Sequence, residues 1–468
     1  MSGEIVWTDA TELARRIRAK EVSPVEVVRA FLDRADAVNP GVNAVVVNVD
    51  DALNRAQAAE RAVVSGEALG PLHGVPVTIK DCIDTAGVRT TRGSLLFKDR
   101  VPDADATVVT RLQDAGAIVI GKTNMPEFAL DVDSSNRVFG TTNNPWNPDR
   151  SAGGSSGGEG AAIAAGMSPL GMGSDVGGSV RIPASFNGIV GLKATHGRIP
   201  LTGHWPDILL ASMHVGPMAR SVRDIALALP VLSGPDGIDT LAAELDPPGP
   251  IDLDGPLTAL RIAWSPEAGF APVDREVQAA VTAAAVHLAA LGAQVDRVSL
   301  DWLSKHNYQV EHIHAFNYEA VPAINELAKG RLDELAPATI WFIEEGPPSR
   351  ERYLTARARI GELIEDTADF MGTYHAMLGP TTPMTAFPHG KHDHPVNGDP
   401  VAKFHVTKNT SPWDYTGSPA LSVPFGWTGD GMPIGVQLVG RHFDEATVLK
   451  LGAALETGAP DPNRRPPL

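Results

Sequence analysis

Two glycine- and serine-rich segments make the backbone turn sharply on either side of a short strand. They are Gly153-Gly154-Ser155-Ser156-Gly157-Gly158-Glu159-Gly160 and Gly173-Ser174-Asp175-Val176-Gly177-Gly178-Ser179-Val180-Arg181. Glycine permits such turns and lets the backbone approach another group closely. Between the segments, Glu159 to Ala165 reads as a helix and Ser168 to Met172 as a strand. Tight turns between short strands and helices belong to layered folds of alternating elements.

The rest of the chain repeats this pattern. Asp9 precedes a helix-like run with Glu12 in its first turn. Ser23-Pro24-Val25-Glu26 supplies an N-cap serine, a proline at the first helical position and the glutamate of a capping box. Val27, Val28, Phe31 and Leu32 then form an apolar stripe at helical spacing. Asn43 to Val49 predicts a strand, Ala52 to Val64 a helix, and Gly74-Val75-Pro76-Val77-Thr78-Ile79-Lys80-Asp81 a short apolar strand ending in a lysine. Thr107 to Ala115 predicts a helix and Ala117 to Ile120 a buried strand. Residues 133–158 are nearly all turn formers, long for a loop in a compact domain and typical of functional segments. After a Pro/Gly-rich surface connection at 246–257, Ile262-Ala263-Trp264 and Ala293 to Val298 read as strands around a helix from Val273 to Leu291. Residues 301–372 predict helices. Ala420 to Trp427 and Pro433 to Val439 predict a hairpin around Gly429-Asp430-Gly431, and Glu445 to Glu456 a last helix. The expectation is one α/β domain over 1–468, with a helical region at about 301–372 inside it.

Hydrophobic residues make up 43% of the chain and charged residues 20%, so the core is large enough to desolvate a charged group. The net charge of −17 excludes the basic footprint of a nucleic-acid binder. The single cysteine, Cys82, allows no internal disulfide and fits a reducing compartment. Met1 to Trp7 lacks a basic region followed by an apolar run, and no stretch reaches about 18 uninterrupted apolar residues. A cytoplasmic protein with no membrane partner is expected.

In the glycine-serine segments, consecutive N–H groups can converge on an anion, and a serine can sit beside them. Acyl transfer needs that pairing of an attacking hydroxyl with an oxyanion hole. Flexible loops are the competing reading. Phosphate binding is disfavoured because GxxxxGK[ST] is missing. Gly154 to Gly158 formally matches the GxSxG elbow, but Pro148 to Ala152 before it reads as loop where that motif needs a strand.

The stretch from Gly153 to Lys193 resembles the amidase signature family. So do Gly74 to Asp81, Gly121-Lys122-Thr123-Asn124-Met125-Pro126-Glu127-Phe128, Gly417-Ser418-Pro419-Ala420 and Gln437-Leu438-Val439-Gly440-Arg441. The resemblance runs from about residue 8 to 456, with separated motifs in order. It implies a central mixed, twisted sheet with helices on both faces and hydrolysis of a C–N bond without a cofactor or metal. It further implies Lys80 as general base, Ser155 as the relay serine preceded by a cis peptide bond, and Ser179, 24 positions later, as nucleophile. The N–H groups of Val176, Gly177, Gly178 and Ser179 are implied as the oxyanion hole. Ser156 resembles an auxiliary residue near the relay and Arg181 a support of the site, with an internal ion pair as the alternative for Arg181. Asp175 is expected to brace the turn, and Ser174 to be structural.

That chemistry is self-consistent. A serine hydroxyl needs a base, and lysine serves as one only when neutral. Burial lowers an ammonium pKa from its usual value of about 10.4, and Lys80 ends an apolar strand. Asp81 opposes this unless it points elsewhere. Cys82 is expected to be an inert buried thiol.

The pocket is expected from residues 124–128, 201–213, 302–342 and 410–415, with Met125, Gly154, Trp205 and Trp413 as binding residues. Trp302, Tyr308, Phe316, Tyr318, Trp341, Phe342 and Tyr415 are further aromatic candidates. They suggest aryl or alkyl amides, and carbamates (urethanes) by the same acyl-transfer chemistry, hydrolysed by a monomer or homodimer. His389, His392 and His394, and more loosely His306, His312 and His314, offer metal ligands, but the first group sits in a Pro/Gly-rich loop that reads as solvated. None of the 14 histidines is nominated as a partner for Ser179. The alternatives are the amidase subunit of a transfer-RNA-dependent amidotransferase and a silent amide-binding protein. Leu201-Thr202-Gly203-His204-Trp205-Pro206 departs from the first, and the presence of Lys80, Ser155 and Ser179 disfavours the second.

Overall fold

The computed structural model describes residues 2–205, 208, 211–267, 271–304, 308–391, 394–402 and 404–468. His306 and His392 lie outside the described residues, as do parts of the 201–213 pocket region. Eleven strands form one mixed sheet: β1 (Val45–Asn48), β2 (Pro76–Lys80), β3 (Ile118–Thr123), β4 (Leu170–Asp175), β5 (Val190–Lys193), β6 (His214–Ala219), β7 (Arg261–Trp264), β8 (Gln294–Arg297), β9 (Ala376–Pro380), β10 (Ala420–Trp427) and β11 (Pro433–Gly440). Their order across the sheet is β1-β3-β2-β4-β6-β5-β10-β11-β9-β7-β8. Strand β2 runs parallel to β3 and β4, and β7 runs parallel to β8 and β9; the middle of the sheet is antiparallel.

Every residue of β2, β3, β4 and β6 is buried. Successive side chains of a strand point to opposite faces, so the central strands are covered on both. Helix α1 (Pro24–Val42) is one cover. Its capping box forms as the sequence predicts, with Ser23 Oγ accepting from the Glu26 N–H and Glu26 accepting from the Ser23 N–H. Strands β10 and β11 pair as the expected hairpin, and the last helix is Glu445–Glu456.

The sequence reading missed three strands in the interior of the sheet. β5, β6 and β9 carry glycine, proline or histidine and show no alternation, because strands buried on both faces have no reason to alternate. The 133–158 segment holds two short antiparallel ribbons, Ser135–Asn136 with Gly140–Thr141 and Asn143–Asn144 with Asn147–Ser151. Two short helices follow the glycine-serine segments: α2 (Gly157–Ala164) and α3 (Arg181–Asn187). The predicted helical region contains α4 (Tyr308–Leu327), α5 (Pro337–Glu345) and α6 (Arg350–Thr373).

Candidate active site

Strands β2 and β4 are parallel neighbours, so their C-terminal ends open on the same edge of the sheet. Lys80 closes β2, and Ser174 and Asp175 close β4. Ser155 lies in the turn before α2, after a cis Gly154–Ser155 peptide bond, and Ser179 lies in the turn before α3. A crevice beyond the carboxyl ends of parallel strands is the usual ligand position in such sheets.

Lys80 has no exposed surface. Its Nζ donates to Ser155 Oγ at 2.6 Å and to Ser174 Oγ at 3.0 Å. Burial pulls the ammonium pKa down to about 8, against the opposing pull of Cys82, Asp175 and Glu159. Asp81 points elsewhere. Its Oδ2 accepts from the Thr91 N–H at 3.0 Å and the Thr91 hydroxyl at 2.5 Å, and its charge is felt by Lys122 on the neighbouring strand. Lys122 is spent on the Ile83 carbonyl and the hydroxyls of Thr85 and Thr90. Of these two buried amines, only that of Lys80 reaches a serine hydroxyl of the glycine-serine segments.

The Ser156 N–H donates to the Ser179 carbonyl at 3.1 Å, which ties the two glycine-serine turns together. Ser179 keeps a sliver of exposure and lines a cavity. No hydrogen bond joins the Ser155 and Ser179 hydroxyls among the described residues. Catalytic hydrogen bonds often tighten only when substrate is bound.

Asp175 braces the second turn: its carboxylate accepts from the N–H groups of Gly178 and Val180. Gly178 stands at φ +119, and a side chain there would collide with Thr410. The Gly178 N–H therefore faces Asp175, not a substrate oxygen, which corrects its place in the implied oxyanion hole. The N–H groups of Val176, Gly177 and Ser179 have no internal acceptor among the described residues.

Arg181 is wholly buried and bridges Asp175 at 3.0 Å and Asp414 at 2.9 Å; it also donates to Gln437 Oε1 and the Thr410 carbonyl. It is the internal ion pair. Burial works against ionisation of Asp175, but the Arg181 guanidinium holds that carboxyl below the usual carboxylate range. Burial and the charge of Asp175 push the Asp414 carboxyl well up. Ser156 Oγ lies 3.3 Å from both the N–H and the carbonyl of Ser174, supporting the strand end that carries it. Ser174 does more than the sequence suggests, since it holds the Lys80 amine directly. Cys82 is buried 3.6 Å from Ser174 Oγ and 3.5 Å from His204 Nε2, and burial pushes its thiol up, so it stays protonated.

The cavity at Val176, Gly177 and Ser179 is walled by Leu130, Val132, Phe316, Trp341, Phe342 and Phe404. His312 and Asn317 also face it. Phe316, Trp341 and Phe342 come from the region the sequence nominates. Met125, Gly154, Trp205 and Trp413 do not line it. Met125 lies in the main core, and the Gly154 backbone packs behind Asp131 and Val132. Trp205 meets Phe128 edge to face and lies under the Arg92 guanidinium, and Trp413 is buried with its Nε1 donating to the Asn409 carbonyl. An aromatic ring is as useful to a core as to a pocket, so composition could not separate the two. His312 and Asp414 fall inside the nominated regions 302–342 and 410–415 but were not singled out for these positions, and Phe404 lies outside every nominated region. Of the other histidines, His389 pairs with Asp133 at 3.3 Å. No group of three or more metal-ligating side chains forms among the described residues.

Residues 26–449 match the family model Amidase. The chain is 36% identical to an acylamidase of Rhodococcus erythropolis, over 98% of this chain and 97% of that one. It is 35% identical to a glutamyl-tRNA(Gln) amidotransferase subunit of Carboxydothermus hydrogenoformans, over 99% and 100%. Among solved structures, a bacterial aryl acylamidase of the amidase signature enzymes superposes with a TM-score of 0.88 at 28% identity, covering 97% of this chain and 96% of that chain. A 6-aminohexanoate cyclic dimer hydrolase in complex with its substrate superposes at 0.87 and 31%, covering 99% of each. With likeness along nearly its whole length, and the family motifs gathered at the ends of β2 and β4, the chain belongs to the amidase signature family of amide-hydrolysing enzymes.

Proposed function

We propose that the protein hydrolyses small aryl or alkyl amides through an acyl-enzyme on Ser179, with Ser155 as proton relay and Lys80 as base. The observation that carries this reading is the Lys80 amine, fully buried and 2.6 Å from the Ser155 hydroxyl. Neutral Lys80 takes the proton of Ser155 as Ser155 takes that of Ser179, and the Ser179 oxygen bonds to the amide carbon. The N–H groups of Val176, Gly177 and Ser179 hold the resulting oxyanion; each such donor is worth about 3 kcal/mol. The proton returns through Ser155 to the leaving nitrogen as the C–N bond breaks. Water then adds to the acyl-enzyme by the same relay and frees the acid.

Helices α4 and α5 build one wall of the substrate pocket, and its aromatic lining suits an aryl or alkyl group. Carbamates enter by the same chemistry, since they share the acyl carbon and the C–N bond. The test is a panel of anilides, aliphatic amides, esters and carbamates offered to the purified chain without partner or ATP. Turnover of anilides, abolished by Ser179→Ala without loss of fold, is the expected result. Silence of the wild-type chain towards the whole panel would favour a subunit that works only in a complex, or an amide-binding protein. A phosphonate adduct at Ser156 or Cys82 in place of Ser179 would overturn the nucleophile.

A further inference from the structure

Besides Ser179, four polar side chains line the cavity: Asp131, whose Oδ1 accepts from the Val132 N–H, Thr407, which donates to the Phe404 carbonyl, and His312 and Asn317, each of which keeps a polar atom without a partner. Asn317, on α4, is 6% exposed, and its Oδ1 is buried with no hydrogen-bond partner. Five residues earlier, His312 is half-buried, and its Nδ1 is buried and likewise unpartnered. The Tyr415 ring meets the imidazole edge to face at 4.8 Å and fixes its orientation. A Cβ built on Gly177 would find only Ser411 Oγ at 3.7 Å and His312 Nε2 at 3.9 Å. The Gly177 backbone is thus open to the cavity, and it is Nε2, not the buried Nδ1, that the imidazole turns towards it. Burial pushes the imidazole down to about 4, so it is neutral near pH 7 and offers one N–H and one lone pair.

Buried polar groups without partners are costly, and a site that contains them rejects ligands that leave them unpaired. Resting on the Ser179 reading above, we propose that His312 and Asn317 are specificity-determining residues. They select small amides that carry a hydrogen-bonding heteroatom, an ether or hydroxyl oxygen, close to the scissile carbonyl within an otherwise apolar group. The closeness follows from Gly177, which adjoins the N–H groups assigned to the carbonyl oxygen. An all-hydrocarbon substituent fills the same walls but offers no hydrogen-bond partner to the imidazole Nε2 or the Asn317 amide.

The test uses two matched pairs in which an oxygen replaces one methylene. Methoxyacetanilide against butyranilide probes the acyl side, and N-(2-methoxyethyl)benzamide against N-butylbenzamide the amine side. The ether is expected to be preferred in kcat/KM within one pair, and His312→Phe or Asn317→Leu should reduce that preference by about tenfold, the scale of one or two neutral hydrogen bonds. Intrinsic reactivity cancels because the same two substrates are compared in each protein. His312→Gln, which keeps a hydrogen-bonding head, should restore part of the preference. Ratios unchanged in both variants, with circular dichroism showing them folded, overturn the proposal while leaving the Ser179 reading intact. If none of the four compounds is hydrolysed, it is the Ser179 reading that fails, and their binding is then compared by calorimetry. Tighter binding of an ether that is lost in His312→Phe supports the pair; equal binding of ether and hydrocarbon overturns it.

Discussion

The strands and turns that carry Lys80, Ser155 and Ser179 differ in kind from the helices that wall the cavity. Every residue of β4 and α3 is buried, and the charged groups there are locked into ion pairs or hydrogen bonds. Of the two helices that line the cavity, α5 buries only Thr339 among nine residues, and α4 leaves Val310, Ile313 and Leu327 exposed. The first region is specified at backbone level, by turns that admit only certain residues. The second is specified by amphipathic stripes that many sequences satisfy. The proposed chemistry therefore sits where substitution is least tolerated, and the proposed substrate wall where it is most tolerated.

The sharpest way to break this contrast is at Lys80. Lys80→Ala should lower kcat/KM by about 10⁴-fold or more, as losses of members of a catalytic unit do, with an intact far-ultraviolet spectrum. On the proposed mechanism the active form is the neutral amine. Activity should fall about tenfold per pH unit below the Lys80 pKa of about 8 and level off above it. A flat profile from pH 6 to 9, together with an active Lys80→Ala, would remove Lys80 as the base.

Next in size is a stability effect confined to the buried region. Arg181→Met leaves Asp175 without its buried partner, and breaking one side of a buried pair costs about 3–5 kcal/mol. Urea unfolding measures it. A loss below about 1 kcal/mol would mean that the Asp175 brace does not depend on the guanidinium.

The helical wall should behave in the opposite way. Phe342 is only half-buried, so Phe342→Ala should cost little stability and raise KM for aryl amides by about tenfold, the value of one partly desolvated ring. A collapse of kcat with unchanged KM would show the wall to be part of the catalytic machinery and blur the contrast.

What could be read from the sequence divides along the same line. Lys80, Ser155 and Ser179 were nominated through the family resemblance that their motifs carry, where composition alone allowed flexible loops, and the structure brings the Lys80 amine to the Ser155 hydroxyl. The Ser23 capping box and the terminal hairpin were legible because their signals are local. The partners of Arg181 were not, since Asp414 lies 233 residues away and only the closed sheet brings it near. Nor could an aromatic ring in a helical stripe announce whether it faces the cavity, as Phe342 does, or the core, as Trp413 does. A missing side-chain period hid β6 and β9 for the reason that makes them central: both of their faces are covered.

The smallest effect lies at a seam between the glycine-serine half of the chain and its C-terminal part. The Asp133 carboxylate accepts from Ser151 Oγ at 2.7 Å and from the Gly390 N–H, and His389 Nδ1 stands 3.3 Å away. Asp133 directly follows Val132 of the cavity wall, so this clasp holds a loop of the late segment against the back of the site. The hydrogen bond to Asp133 raises the His389 pKa above its ordinary 6.5, while burial opposes ionisation of Asp133 but that carboxyl still falls below its usual range. The carboxylate is thus charged throughout, and the imidazolium is the group that titrates. Its contribution is full below the unfolded value of about 6.5 and is lost as pH rises through the higher folded value. His389 is half exposed, and a screened pair of this kind is worth under about 1 kcal/mol. His389→Gln should therefore lower Tm slightly at pH 5.5 and not at pH 9, with kcat unchanged at either. A Tm difference that grows with pH would show the neutral imidazole, not the imidazolium, to be the form that closes the clasp.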